Sequence, residues 1–296
     1  MMRKRFKMLF ISRLLLLSGV IFATIAEAQT LRSAEEYMKR GDARYDRGDM
    51  DGAIADFTIA IDMASRLAPR RRKIGDAWKE EEAMRAAAGF SNARVIDPRA
   101  AAAYSNRANA RYAKGDAEGA LADLDQALSI SPRLAIAFYN RGTIYANQEK
   151  INAALADFDR AIKIDPRMAD AYHNRGNLKY LSKNLDGALA DYNKAIELNP
   201  RRAETYDNRG LARENKGDLA GAVVDYSKAI ELFSKAVKIN PRIAVAYLNR
   251  GVIYMLQKND SAARRDFDEC LRFNKEMQLV LERRIKEVQQ RRAASR

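Results

Sequence analysis

Along most of this chain, apolar residues recur at the three- and four-residue steps of an α-helix. Ala188, Leu189, Tyr192, Ala195 and Ile196 fall on one stripe, and the preceding segment, Ala169 to Ser182, has a stripe of its own through Tyr172, Gly176 and Tyr180. Two such helices in succession predict a helical hairpin. Pro200 ends the second, because proline has no amide hydrogen to give the next turn. The small residues let the two helices approach closely, but one hairpin cannot bury its apolar face alone, so hairpins must stack.

The hairpin recurs. Pro98, Pro132, Pro166, Pro200 and Pro241 are spaced by 34, 34, 34 and 41 residues, and aligning the chain on them brings like residues into columns. An aromatic (Tyr104, Phe138, Tyr172, Tyr206, Tyr247) is followed by Asn-Arg and a small residue (Ala108, Gly142, Gly176, Gly210, Gly251). Twelve residues on stands Ala120, Ala154, Ala188, Ala222 or Ala263, and four later a large apolar residue, Leu124, Phe158, Tyr192, Tyr226 or Phe267. An earlier copy without the proline begins at Ala34 and carries Tyr37, Gly41, Ala53, Phe57 and Ala60.

In period and in its order of aromatic, small, small, aromatic, small and proline, this unit resembles the tetratricopeptide repeat, over roughly residues 34–275. The resemblance implies an all-α fold, a right-handed superhelical solenoid of stacked helix-turn-helix repeats. The units run 34–66, 101–134, 135–168, 169–202, 203–243 and 244–275, with a degenerate one at 67–100 that keeps Phe90, Ala93 and Pro98 but opens on Pro69-Arg70-Arg71-Arg72-Lys73. The 41-residue spacing has its source in an echo, Tyr226 to Leu232 followed by Phe233 to Ile239. Seven residues are nearly two turns, so the second helix, within 218–239, is expected to lengthen by roughly 10 Å. After the last unit, Met277, Val280, Leu281, Ile285 and Val288 stripe an otherwise polar segment, 276–296, which reads as a terminal capping helix with a basic tail at Arg291, Arg292 and Arg296.

The N-terminus has a different character. A basic run to Lys7 and Arg13, an apolar stretch from Leu14 to Ala26, and Ala26-Glu27-Ala28 as a cleavage site read as a secretory signal peptide over residues 1–28. An uncleaved anchor is the rival, but Arg13 leaves about 13 apolar residues where a span needs roughly 20. The expectation is a soluble periplasmic or secreted mature protein, residues 29–296, of the exported bacterial type. The chain has a formal charge of +14, of which residues 1–28 hold a net +4, so the mature part stays basic. Cys270 is the sole cysteine, which excludes an internal disulfide; it stands in a column that is otherwise Ala127, Ala161, Ala195 and Ala229 and is expected to pack as a small buried residue.

Catalytic chemistry has little to work with: one histidine, His173, no cysteine or histidine cluster and no glycine-rich phosphate loop. No catalytic residue, metal or cofactor is expected. The Arg of each Asn-Arg pair (Arg107, Arg141, Arg175, Arg209, Arg250) and Arg40 precede Asp123, Asp157, Asp191, Asp225, Asp266 and Asp56 by 16 residues, a register that predicts salt bridges within a hairpin or between neighbours. The asparagines, Asn106, Asn140, Asn174, Asn208 and Asn249, stand one per unit on the first helix, which lines the concave face in proteins of the resembled family. A carboxamide both donates and accepts, so a row of them suits the backbone of an extended peptide. A similar ladder belongs to the superhelix of the O-linked N-acetylglucosamine transferase family; no glycosyltransferase domain accompanies it here. The slot before each Asn varies, Met38, Ser105, Tyr139, His173, Asp207 and Leu248, as would a surface that sets partner preference; Tyr139 and His173 join the candidate peptide-binding residues. The chaperone-binding members of the family hold a terminal carboxylate with a lysine in this slot, and none occurs here. Five Pro-Arg steps place Arg99, Arg133, Arg167, Arg201 and Arg242 at inter-unit turns, either as solvated turn residues or as a basic edge for an anionic envelope polymer or acidic protein segment.

The expected function is therefore a scaffold that binds a protein or peptide partner on its concave face in the cell envelope. Two alternatives stand beside it: an accessory subunit of an enzyme acting on envelope polymer, and a binder of nucleic acid or another anionic polymer. Export argues against nucleic acid, and after cleavage no membrane span remains.

Overall fold

The computed structural model describes residues 33–71, 98–235 and 240–294. The proposed signal peptide, residues 72–97 of the 67–100 unit with Trp78, residues 236–239 and the last two residues lie outside them. The described residues form α-helices and one short 3₁₀ turn: α1 (33–46), α2 (Met50–Arg71), α3 (Pro98–Ala113), α4 (Ala117–Ile130), α5 (Ala135–Asn147), α6 (Ile151–Ile164), α7 (Ala169–Leu181), α8 (Leu185–Leu198), α9 (Ala203–Lys216), α10 (Leu219–Ser234), α11 (Arg242–Leu256), α12 (Asp260–Phe273) and α13 (Gln278–Ala294). Odd-numbered helices up to α11 are the first of each hairpin and even-numbered ones the second, so the chain is an all-α repeat solenoid. It divides into two compact units at Ile144 and Tyr145, within α5.

Local chemistry sets the hairpins. Four second helices start on a capping side chain followed by glycine: Asp49, Asp116, Asn184 and Asp218 each accept the amide hydrogen three residues on, from Gly52, Gly119, Gly187 and Gly221. Asx-Pro-Arg turns lead into α7, α9 and α11, and in them Asp165, Asn199 and Asn240 accept the backbone N–H of Arg167, Arg201 and Arg242. Inside each hairpin the small-residue column admits an aromatic. A Cβ added at Gly41, Gly176, Gly210 or Gly251 would lie 2.6–2.9 Å from the ring of Phe57, Tyr192, Tyr226 or Phe267.

The 67–100 unit lies largely outside the described residues; in the first unit, α1–α2 docks directly on α3. Asn106 donates to Asp42, Arg107 to Thr58, and Lys114 pairs with Asp51. The same junction recurs between consecutive hairpins of the second unit, where Lys216 pairs with Asp186 and Arg209 donates to Asn193. Moreover α2 continues past the expected boundary at 66 and through Pro69. Of the echo beyond Tyr226, residues 233–235 are described. α10 has 16 residues, against 14 for α4, α6, α8 and α12. Phe233, the echo of Tyr226, is buried in one cluster with Ala203, Ala229 and Ile243, so it anchors the junction with α11.

Candidate interaction surface on the first helices

The arginine column is scaffold, and its geometry shows why it is arginine. Nε and Nη2 of Arg175 donate to both oxygens of Asp191 at 2.9 and 2.6 Å, while Nη1 reaches back to Asp159 of the preceding second helix at 2.6 Å. Arg209 grips Asp225 and Asn193 in the same way, Arg107 Asp123 and Thr58, and Arg250 Asp266 and Ser227. Arg40 makes the two-point pair with Asp56, and Arg141 donates to Asp125. The acceptor on the neighbour always lies two residues beyond that neighbour's column aspartate. Each guanidinium also stacks on the aromatic three residues before it, 4.6–5.6 Å from the ring centre. A planar fork with several donors can clamp one carboxylate, tie a second helix and lie on a ring at once; an ammonium cannot.

The asparagine column is half-buried, and three of its members engage their amide nitrogens. Asn106 donates to Asp42 at 2.9 Å and Asn140 to Ser105 at 3.3 Å in the first unit; Asn208 donates to Asn177 at 2.8 Å in the second. In each case the acceptor is on the preceding first helix, so part of the column's work is to tie first helices together. The side-chain oxygens of these three accept no hydrogen bond from described residues. Asn174 and Asn249 occupy the same places on α7 and α11, half-buried as well.

The varying slot is not an open surface. Ser105, His173, Asp207 and Leu248 are buried, and Met38 and Tyr139 half-buried. His173, 4% exposed, shares a 3.0 Å hydrogen bond through Nδ1 with the Thr205 hydroxyl on the next first helix. It therefore does not offer its ring to a partner. Thr205 interrupts a column that reads Ala103, Ala137, Ala171 and Ala246 in its neighbours, so the two departures from pattern satisfy one another. That coupled departure was the signal by which a column-by-column reading could have found Thr205.

Asp207 is the second buried polar member of the slot, 8% exposed, and its Oδ1 has no hydrogen-bond partner among the described residues. Burial raises its pKa to about 6, with Glu204 adding to the rise and Arg242 opposing it. Burial, then the positive charges of Arg202 and Arg242, lower that of His173 to about 3. The two act in opposite senses. Between the ordinary carboxylate value near 4 and about 6, the folded chain holds the Asp207 proton more tightly than the unfolded one, so this group's contribution falls as pH rises through that window. Between about 6.5 and 3 the unfolded chain binds the His173 proton first, so that contribution falls as pH drops. Asp207→Asn should therefore raise stability at pH 7 by on the order of 2 kcal/mol, with the gain gone by pH 4, as urea midpoints measured across that range will show.

The Pro-Arg arginines lie at turns (Arg133, Arg167, Arg201) or at the first residues of α3 and α11 (Arg99, Arg242). Arg99 stands 3.6 Å from Glu35, and Arg133, Arg167, Arg201 and Arg242 are exposed. Cys270 is fully buried, and burial pushes its thiol up to about 11, the state of a packing residue rather than a nucleophile.

Comparison with known proteins settles what kind of solenoid carries this face. Tetratricopeptide repeat family models match residues 135–168, 169–202 and 214–274, and a TPR repeat model matches 108–149, together more than half of the chain. This chain is a tetratricopeptide repeat protein. No curated protein matches it. Among solved structures, Pseudomonas aeruginosa pilF superposes with a TM-score of 0.63 at 15% identity, over 83% of this chain and 94% of that one. MamA from Desulfovibrio magneticus RS-1 gives 0.53 at 20%, over 62% and 98%. YrrB, described as a TPR protein with an unusual peptide-binding site, gives 0.53 at 26%, over 62% and 90%. The first two likenesses speak for the repeat fold alone.

Proposed function

We propose that this repeat protein is a non-catalytic interaction scaffold that holds an extended segment of another protein against its first helices, in the bacterial cell envelope. The observation that carries the reading is the asparagine row. Asn106, Asn140 and Asn208 have their amide groups oriented by bonds to the preceding first helix, while their carbonyl oxygens keep acceptor capacity that a peptide N–H can use. Such a carboxamide is already oriented before a ligand arrives, which lowers the ordering cost of binding. The peptide-binding site ascribed to YrrB lends this support. The envelope location is supported by the basic, apolar and Ala-x-Ala pattern of residues 1–28.

The test is capture from an envelope extract by the mature chain, with proteins identified by mass spectrometry. Asn106→Ala with Asn140→Ala, and separately Asn174→Ala with Asn208→Ala, are expected to reduce capture of the same partner at least tenfold while the far-ultraviolet spectrum of the helices is unchanged. Undiminished capture by both double variants sinks the carboxamide reading. The mass of the N-terminal peptide in the native host checks cleavage before Gln29.

A further inference from the structure

In the second unit, α13 covers part of the first-helix face. Its buried Leu281 and Val288 join Leu248, Val252 and Met255 of α11 in one apolar cluster. Those three α11 residues stand at the fifth, ninth and twelfth places of their repeat, the places held by Asp207, Leu211 and Glu214 on α9. The row that is largely polar on α7 and α9 has turned apolar on α11, and it lies beneath α13. A helix continuing the stack would lie on the preceding second helix, as α7, α9 and α11 lie on α6, α8 and α10; α13 packs on the first helix α11 instead. From there Arg284 extends to Glu214 of α9 at 3.4 Å, a carboxylate that also accepts the Tyr226 hydroxyl at 2.9 Å.

We propose that the first-helix face of the second unit is a docking surface for a basic amphipathic helix of a partner protein, and that α13 is the chain's own occupant, displaced when the partner binds. The proposal rests on the reading that partners engage the first helices, and it names the kind of segment taken at this end. Charge complementarity favours a basic occupant: α13 carries Arg283, Arg284, Lys286, Arg291 and Arg292 against Glu282 and Glu287, and its Arg284 meets Glu214 on the face. A tethered helix has an effective concentration of about millimolar, so a free helix of the same chemistry competes poorly until the resident is weakened.

The test uses the full mature chain and a fluorescent peptide of residues 275–296, followed by anisotropy. The variant Leu281→Ser/Arg284→Glu/Val288→Ser should bind the peptide at least tenfold more tightly than the unaltered chain. Adding Glu214→Arg should cancel that gain, and a peptide bearing Arg284→Glu should restore it. The idea is overturned by equal binding to the unaltered and triple-variant chains, by indifference to the charge swap, or by loss of helix beyond α13 in the triple variant, which would make α13 integral to the fold. The readout does not depend on the asparagine row, so failure of the carboxamide reading and failure of this proposal are separately visible.

Discussion

Arg250→Ala lowers the stability of the second unit by about 3–5 kcal/mol, the penalty of leaving a buried carboxylate without its partner. Asp266 is only 6% exposed at its side chain, and among the described residues Arg250 is its one salt-bridge partner. In four other hairpins the column aspartate has a second cation four residues after the arginine: Arg44 for Asp56 at 3.1 Å, Arg111 for Asp123 at 2.9 Å, Lys179 for Asp191 at 2.8 Å and Arg213 for Asp225 at 2.8 Å. In the last repeat that place is Tyr254. Arg209→Ala should therefore cost clearly less than Arg250→Ala, because Arg213 still neutralises Asp225. Arg250→Lys should fall between, since it keeps the charge but loses the fork. Urea titrations of the three variants test the order; a cost for Arg209→Ala equal to that for Arg250→Ala would contradict it.

Leu124→Phe destabilises the first unit by about 1–3 kcal/mol, and adding Ala108→Gly returns most of the loss. The reason is the pairing of columns inside the hairpin. Where the small residue is glycine, as at Gly41, Gly176, Gly210 and Gly251, its partner is an aromatic whose ring lies where a Cβ would be. Where it is Ala108, the partner is Leu124, and both are fully buried in the same cluster. A ring at 124 has to overlap the Ala108 methyl, and an interior packed at crystal density has no slack to absorb it. The double variant recreates the pairing found in the other hairpins. Thermal and denaturant midpoints of the two single variants and the double one give the coupling directly; additive losses would show that the two sites do not share this space.

The fold was legible because repetition multiplies weak signals: one Tyr-x-Asn-Arg-Gly is ambiguous, but a column of them fixes helix faces, hairpin turns and the arginine register together. Adjacency in space was less legible. Phe90, Ala93 and Pro98 match their columns, so 67–100 reads as one more unit, while the contacts of Asn106, Arg107 and Lys114 go to the hairpin before it. Column statistics do not report which helix docks on which. The varying slot misled for a related reason. Variation beside a constant frame looks like freedom, but at His173 and Ser105 it reflects constraints shared with a neighbouring repeat, to Thr205 and to Asn140. The same blindness hid the cover that α13 places over Leu248 and Met255: its stripe predicted a helix at the end of the stack, and nothing in it named the first-helix face as the surface it meets.

The His173–Thr205 bond also bears on how the chain assembles without error. Hairpins this alike can exchange places during folding, since a stack built from the wrong neighbours would satisfy the arginine clamps and the aromatic column almost as well. A buried imidazole facing Ala137 or Ala246 in place of Thr205 would lose its hydrogen bond in the interior, a cost that native order alone avoids. One mismatched pair of polar residues, each odd in its own column, thus works as an address: it tells the hairpin at 169–202 which of its siblings comes next.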